Sequence, residues 1–211
     1  MRAEPWRPPL TLGGTYVELL PLEASHAAAI AAAGRDPEVL RYLALPPGPT
    51  VGGAEAAIAI LLERQRQGTD VPFVTRLRST GEVIGMTRYL HLDLENDSVE
   101  IGGTFVTRAL WRTPVNTDAK LAMLRHAFEV GGAHRVVLQT DLRNARSQAA
   151  IARLGAVREG EHREDRHLPD GYRRTSVIFS ILAPEWPAVR DRLRASLARP
   201  WNPSAAGTSL L

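Results

Sequence analysis

The sequence predicts one mixed α/β sheet with helices on both faces. Helical patterns open the chain, a hairpin meander fills the middle, and strand–helix–strand–helix units follow. Elements in that order bury their apolar sides most simply by packing helices against a single sheet. Neither an internal repeat nor an interior linker interrupts them, so residues 1–199 read as one domain. Residues from Pro200 onward carry little apolar patterning and are expected to be disordered.

The elements follow from local signals. The Pro-rich first dozen residues predict an irregular arm, and Tyr16–Leu20 a strand closed by Pro21. Ala24–Gly34 is Ala-rich and helical, with Ser25 as a cap. Asp36 and Pro37 start a short helix to Leu43, because proline suits the first helical position. Pro46, Pro47, Gly48 and Pro49 break the chain. Thr50 then caps a helix to about Gln67, which Gly68 ends. Phe73–Leu77 and Val83–Leu90 form a hairpin around Ser79-Thr80-Gly81, and Val99–Thr107 adds a third strand after a polar turn, Asp93–Asp97. Leu121, Leu124 and Phe128 share one face of a helix over Val115–Val130, stopped by Gly131-Gly132. Arg135–Thr140 is a short buried strand, and Asn144–Leu154 a helix with Gly155 beyond its end. Two strands, Val157–His167 and Arg174–Leu182, flank the turn signal Pro169-Asp170-Gly171. Glu185–Leu197 is a closing amphipathic helix.

Bulk composition excludes several functions. The 211 residues are 44% apolar and 23% charged, ordinary for a globular protein with a sizeable core. No run of about 18 apolar residues exists, so no membrane span is expected. The N-terminus has no apolar signal core, and a cytoplasmic location fits. The absence of cysteine excludes disulfides, zinc–thiolate sites and a cysteine nucleophile, so any acyl transfer must use another nucleophile or go directly to the acceptor. No metal-ligand cluster is read. Net charge is +3, and of 26 basic residues only Lys120 is a lysine. Arginine suits phosphate because its planar fork binds two oxygens, although a general arginine bias explains the count as well. No basic run of five or more residues supports nucleic-acid binding.

The segment Val99–Leu124 carries the strongest chemical signal. A strand leads through Trp111-Arg112-Thr113-Pro114-Val115-Asn116-Thr117 into a helix. Helix N-termini expose backbone N–H groups and a positive dipole end, and Arg112 adds a full charge, so a pyrophosphate would fit. A plain loop with Asn116 or Thr117 as N-cap reads equally well. Asn144-Ala145-Arg146-Ser147 opens the next helix, and Asn144 serves there as an N-cap if the motif stands alone. Arg153–Gly160 by itself signals a C-cap glycine.

Taken together, these segments resemble the GNAT acetyltransferases, and among them the RimJ/RimL-like ribosomal-protein N-terminal acetyltransferases. The resemblance rests on Val99–Gly102, Trp111–Leu124, His126–Glu129, Leu138–Leu154, Gly155–Gly160, Asp170-Gly171 and Pro184–Pro187, and it spans roughly Tyr16–Leu197. It implies the GNAT fold: a mostly antiparallel sheet in which two parallel strands, Val99–Thr107 and Arg135–Thr140, splay apart to admit acetyl-CoA. By the same resemblance, backbone groups of Phe105, Val106 and Thr107 would pair with the pantetheine arm. Amides from Arg112 through Thr113, Pro114, Val115, Asn116 and Thr117 would hold the pyrophosphate. Asn144 would touch the pantetheine region, and Arg146 the nucleotide end. Pro114 departs from the family's usual glycine and removes one N–H donor, which predicts a usable but weaker site.

For direct transfer, an N–H near Phe105 or Val106 would meet the carbonyl oxygen, and by similarity Ser147 would protonate the leaving sulfur. Glu100 is the first candidate for the base, with an exposed strand carboxylate as the plain alternative. Some relatives carry a glutamate where this chain aligns Arg166, with Glu164, Asp165 and His167 nearby. The expected acceptor is a primary amine, foremost a ribosomal or other protein N-terminus. A small-molecule amine and a non-catalytic coenzyme-binding module are the alternatives. Arg41–Thr50 and Arg163–Tyr172 would line the acceptor pocket, and homodimerisation stays open.

Overall fold

The computed structural model describes residues 1–45, 48–168 and 170–201. Its core is one eight-stranded sheet, built from β1 (Leu12–Gly13), β2 (Val17–Pro21), β3 (Asp70–Leu77), β4 (Val83–Asp93), β5 (Ser98–Val106), β6 (Arg135–Asp141), β7 (Val157–His167) and β8 (Arg173–Leu182). The order across the sheet is β1-β2-β3-β4-β5-β6-β8-β7. Every pairing is antiparallel except β5 with β6. A parallel neighbour needs a crossover, and the helix between these strands supplies it.

The helices are α1 (Ala27–Ala33), α2 (Pro37–Leu40), α3 (Val51–Arg66), α4 (Val115–Arg125), α5 (Ala145–Leu154) and α6 (Trp186–Leu197). Successive strand residues point to opposite faces. Val74 and Phe105 accordingly join α1–α3 through Ile30, Ile58 and Leu61, while their neighbours Phe73 and Val106 join α4 and α6 through Met123, Leu124 and Leu193. Helices therefore cover both faces, as the sequence predicts. β7 is exposed along nearly its whole length, and its polar run Glu159–Arg166 fits a sheet edge.

The structure corrects several expectations. The helix after Asp36 stops at Leu40, not Leu43. The helix over Val115–Val130 is α-helical only to Arg125 and continues as a π turn, His126–Val130. That wider turn lets His126 Nε2 reach the carbonyl of Pro5 at 2.9 Å. The N-terminal arm is not irregular throughout. Trp6, in a short 3-10 turn, is buried edge-on against Tyr89 and His126. Of the tail, Trp201 packs on Tyr16 with ring centroids 5.3 Å apart, so disorder does not begin at Pro200. The expected disorder beyond it, and the breakers Pro46, Pro47 and Pro169, lie outside the described residues.

Asp118 in the first turn of α4 pins the sheet edge to the helix. Its carboxylate accepts N–H bonds from Thr15, Tyr16 and Val17 at 2.9, 2.7 and 3.0 Å. Gly14 makes this approach feasible, since a Cβ there would overlap the carboxylate.

Candidate active site

The site begins where β5 and β6 part. They pair only over Ser98–Glu100 with Arg135–Val137. Beyond that, β6 keeps its antiparallel partner β8, while β5 is held by β4 alone. A bulge at Gly103, with φ +56, shifts the β4–β5 register between Met86 and Arg88. The far half of β5 is thus a strand edge exposed inside the sheet. Thr107 N–H donates to the Ile84 carbonyl across β4, so the alternation of a strand turns Val106 N–H into the gap. The indole of Trp111 already donates to the Val106 carbonyl at 2.9 Å. An edge of this kind accepts an extended, amide-bearing partner as an added strand.

A cavity of roughly 260 Å³ occupies the gap. Of the residues singled out from sequence, Glu100, Phe105, Val106, Arg112, Thr113, Asn116, Thr117, Asn144, Arg146 and Ser147 line it. Thr107, Pro114 and Val115 do not. Both Thr107 backbone groups are used internally, its N–H by Ile84 and its carbonyl by Leu110. The Thr107 N–H is therefore not available to a pantetheine arm. The Val115 side chain is in the core.

One end of the cavity is built for anions. Among the described residues, the N–H groups of Arg112, Val115, Asn116 and Thr117 have no protein acceptor. Pro114 occupies the N-cap of α4 at φ −68, where its missing N–H costs least. Arg112 adopts φ +64, an unfavourable region for a residue with a Cβ, and this turn gathers the free amides at the helix dipole. The Arg146 guanidinium lies over the Trp111 ring, 3.3 Å from its centroid. Burial pulls its pKa below the ordinary arginine value, but a guanidinium stays charged. Asn144 caps α5 through its side-chain oxygen, 3.0 Å from Ser147 N. The plain capping reading thus holds, and Asn144 still lines the cavity.

The other end holds the ionisable groups. Glu100 is buried, not an exposed strand carboxylate, and its Oε2 is 2.9 Å from His91 Nδ1 and 3.0 Å from Gln139 Nε2. Gln139 Oε1 accepts from Arg166 Nη2 at 3.2 Å. Arg166 itself lines the cavity, as do Tyr42, Leu43 and Leu45 from the expected acceptor wall. Among the described residues no His, Asp and Glu group is arranged to hold a metal ion.

Sequence reasoning missed Lys120, Arg88, Arg174 and Gln139. Lys120 on α4 is 5% exposed and donates to the hydroxyls of Thr104 at 2.6 Å and Thr87 at 3.2 Å. With no carboxylate near it among the described residues, burial lowers its pKa to about 7. Its only sequence signal was being the sole lysine among 26 basic residues.

An acetyltransferase (GNAT) domain family matches residues 17–157, which include α4 and the splayed strands. The chain belongs to the GNAT acetyltransferases. A crystal structure of an acetyltransferase from T. thermophilus is 40% identical to this acetyltransferase, covers 90% of it and 97% of its own chain, and has a TM-score of 0.81. Mycobacterium smegmatis RimJ, solved with CoA-disulfide, shares the fold at 24% identity and TM-score 0.77, over 89% of this chain and 95% of that one. A Bacillus subtilis (strain 168) protein named as a ribosomal N-acetyltransferase, YdaF, is 28% identical over 106 residues, half of this chain and 57% of its own. The name of the YdaF relative agrees with the RimJ/RimL-like resemblance of the sequence. No helix among the described residues is long and apolar enough to cross a membrane.

Proposed function

We propose that residues 1–199 form a single catalytic domain of a cytoplasmic N-acetyltransferase that uses acetyl-CoA and acylates a primary amine directly, foremost the α-amine of a peptide or protein N-terminus. One observation carries the reading: an unpaired β5 edge leads to a turn of free amides at the start of α4. An arm with amide groups at one end and a diphosphate at the other matches both features in order. The family, and a RimJ neighbour solved with a coenzyme adduct, support the choice of acetyl-CoA. The relative named for ribosomal acetylation supports the choice of acceptor.

Acetyl-CoA would supply an activated acyl thioester, whose C–S bond breaks as the N–C bond to the amine forms. The residues divide the remaining work. Arg112, Val115, Asn116 and Thr117 present N–H groups, and Arg146 a charge, to the diphosphate. Val106 N–H faces the gap and stabilises negative charge developing on the carbonyl oxygen. Glu100 takes the proton that the acceptor ammonium must lose, with His91 as its hydrogen-bonded neighbour. Ser147 Oγ returns a proton to the departing sulfur. A hydroxyl is a weak acid, so this last contribution is modest.

Calorimetry with free coenzyme A and with acetyl-CoA tests the binding half. Thiol release on mixing acetyl-CoA with Ser-, Ala- or Met-initiated peptides, against a panel of small amines, tests the transfer. Binding without turnover on any amine would leave a coenzyme-binding module instead; absence of binding would end the reading.

A further inference from the structure

The far end of the cleft is walled by three arginines, Arg88, Arg166 and Arg174, of which Arg88 and Arg166 have acidic partners and Arg174 has none among the described residues. Arg174 on β8 is 6% exposed and lines the cavity. Among the described residues it has no ion-pair partner, and its buried Nε makes no hydrogen bond. Three acids feel its charge, Asp141, Asp165 and Glu100; Glu100 shares the cavity, and the other two are each paired with a different arginine. Asp141 is gripped by Arg143 through bonds of 2.9 and 3.1 Å, and Asp165 sits 3.5 Å from Arg166. Directly across the β7–β8 pair from Arg174 stands Arg166, another cation facing the same cavity. Like charges opposite each other on a sheet repel. Arg88, 8% exposed, adds a third guanidinium to this wall. Its Nε lies 3.2 Å from Asp70, close enough for an ion pair but not aligned for a hydrogen bond. Buried charges are normally paired, because leaving one unpaired forfeits its hydration without return.

A second observation sets the distance at which an anion would be useful. Gln139 bridges Glu100 and Arg166 with its two amide ends. The carboxylate that faces the acceptor amine and the arginine wall are therefore one glutamine side chain apart.

We infer that the acceptor is zwitterionic near its reacting end: a carboxylate a few bonds from the amine is held by Arg174 and Arg166 while the amine faces Glu100. The inference rests on Glu100 marking the amine's position, as proposed above. It excludes polyamines and aminoglycosides, whose added cations would meet the arginines. Two sources offer the required chemistry, the α-carboxylate of a free amino acid and the side chain of an acidic first residue of a peptide.

Calorimetric titration of the full chain decides it without turnover. The probes are Asp-Ala-Ala amide against Asn-Ala-Ala amide, and alanine against alaninamide. The charged member of at least one pair should bind about ten- to a hundredfold more tightly, and the pair that shows it identifies the source. The preference should collapse in Arg174→Met and return in part in Arg174→Lys, while coenzyme A affinity stays unchanged in both. Equal affinities within both pairs in the wild type would overturn the inference, as would a preference untouched by Arg174→Met. Coenzyme A titrated separately keeps the two readings apart: loss of that binding alone would sink the acetyltransferase proposal and leave the arginine wall to be judged by the peptides.

Discussion

Replacing Lys120 by Met should stabilise the ligand-free protein at neutral pH and flatten part of its pH dependence. The ammonium is buried without a carboxylate near it among the described residues, and burial takes its pKa from 10.5 to about 7. The unfolded chain therefore binds a proton that the folded chain lacks between these values. Stability linked to this group is fully present above pH 10.5 and is lost as pH falls towards 7. At one unit per 1.36 kcal/mol, the side chain costs roughly 4 kcal/mol at pH 7, and roughly 2 kcal/mol of that is recovered by pH 9. Methionine removes the titration and fills similar space. It leaves no orphan hydroxyl, because Thr87 and Thr104 already hydrogen-bond each other at 2.7 Å. Urea unfolding of both proteins at pH 7, 8 and 9 reads the difference. The wild type should gain on the variant by roughly 2 kcal/mol over that range. A difference that stays constant with pH would refute the reasoning, since a charged or solvated Lys120 would produce it.

Other outcomes follow from single sites. Asp118→Ala should cost roughly 3 kcal/mol in urea unfolding, because it strands the N–H groups of Thr15, Tyr16 and Val17. Pro114→Gly should preserve or tighten coenzyme A binding by calorimetry, since it adds a donor to the turn where Arg112, Val115, Asn116 and Thr117 already offer theirs. A large loss of affinity would mean that the loop works differently. Ser147→Ala should slow turnover more than it weakens acetyl-CoA binding, which paired kinetics and calorimetry will separate. Glu159 is held at about 2, first by its hydrogen bond to Arg135 and further by Ser180. Its contribution should fade as pH falls from the ordinary carboxylate value towards 2. Thermal unfolding of Glu159→Gln across that range should differ by less than about 1 kcal/mol, because the pair is partly exposed.

Much of this architecture was legible because its signals are local. Asp36 and Thr50 cap the helices they announce, accepting from Glu38 N at 3.0 Å and Gly53 N at 3.1 Å. Gly155 ends α5 at φ +99, a conformation its lack of a Cβ permits. The segment Trp111–Thr117 likewise carried its own message, a strand, a turn and a helix start. The two readings of Asn144 turned out compatible, since capping uses its oxygen and leaves the residue on the cavity wall.

By itself, the amino-acid order determined where most helices and strands form, and which turn could gather amides for an anion. Only the tertiary structure decided which charges lose their water. Lys120 and Arg174 look like any surface cation in a sequence window, yet packing of α4 on β4–β5 and of β8 between β6 and β7 buries both. Hydration is lost to neighbours far away in the chain, so no local pattern records it. The same holds for Thr107, whose N–H was spent on Ile84 by the way β5 leaves the sheet.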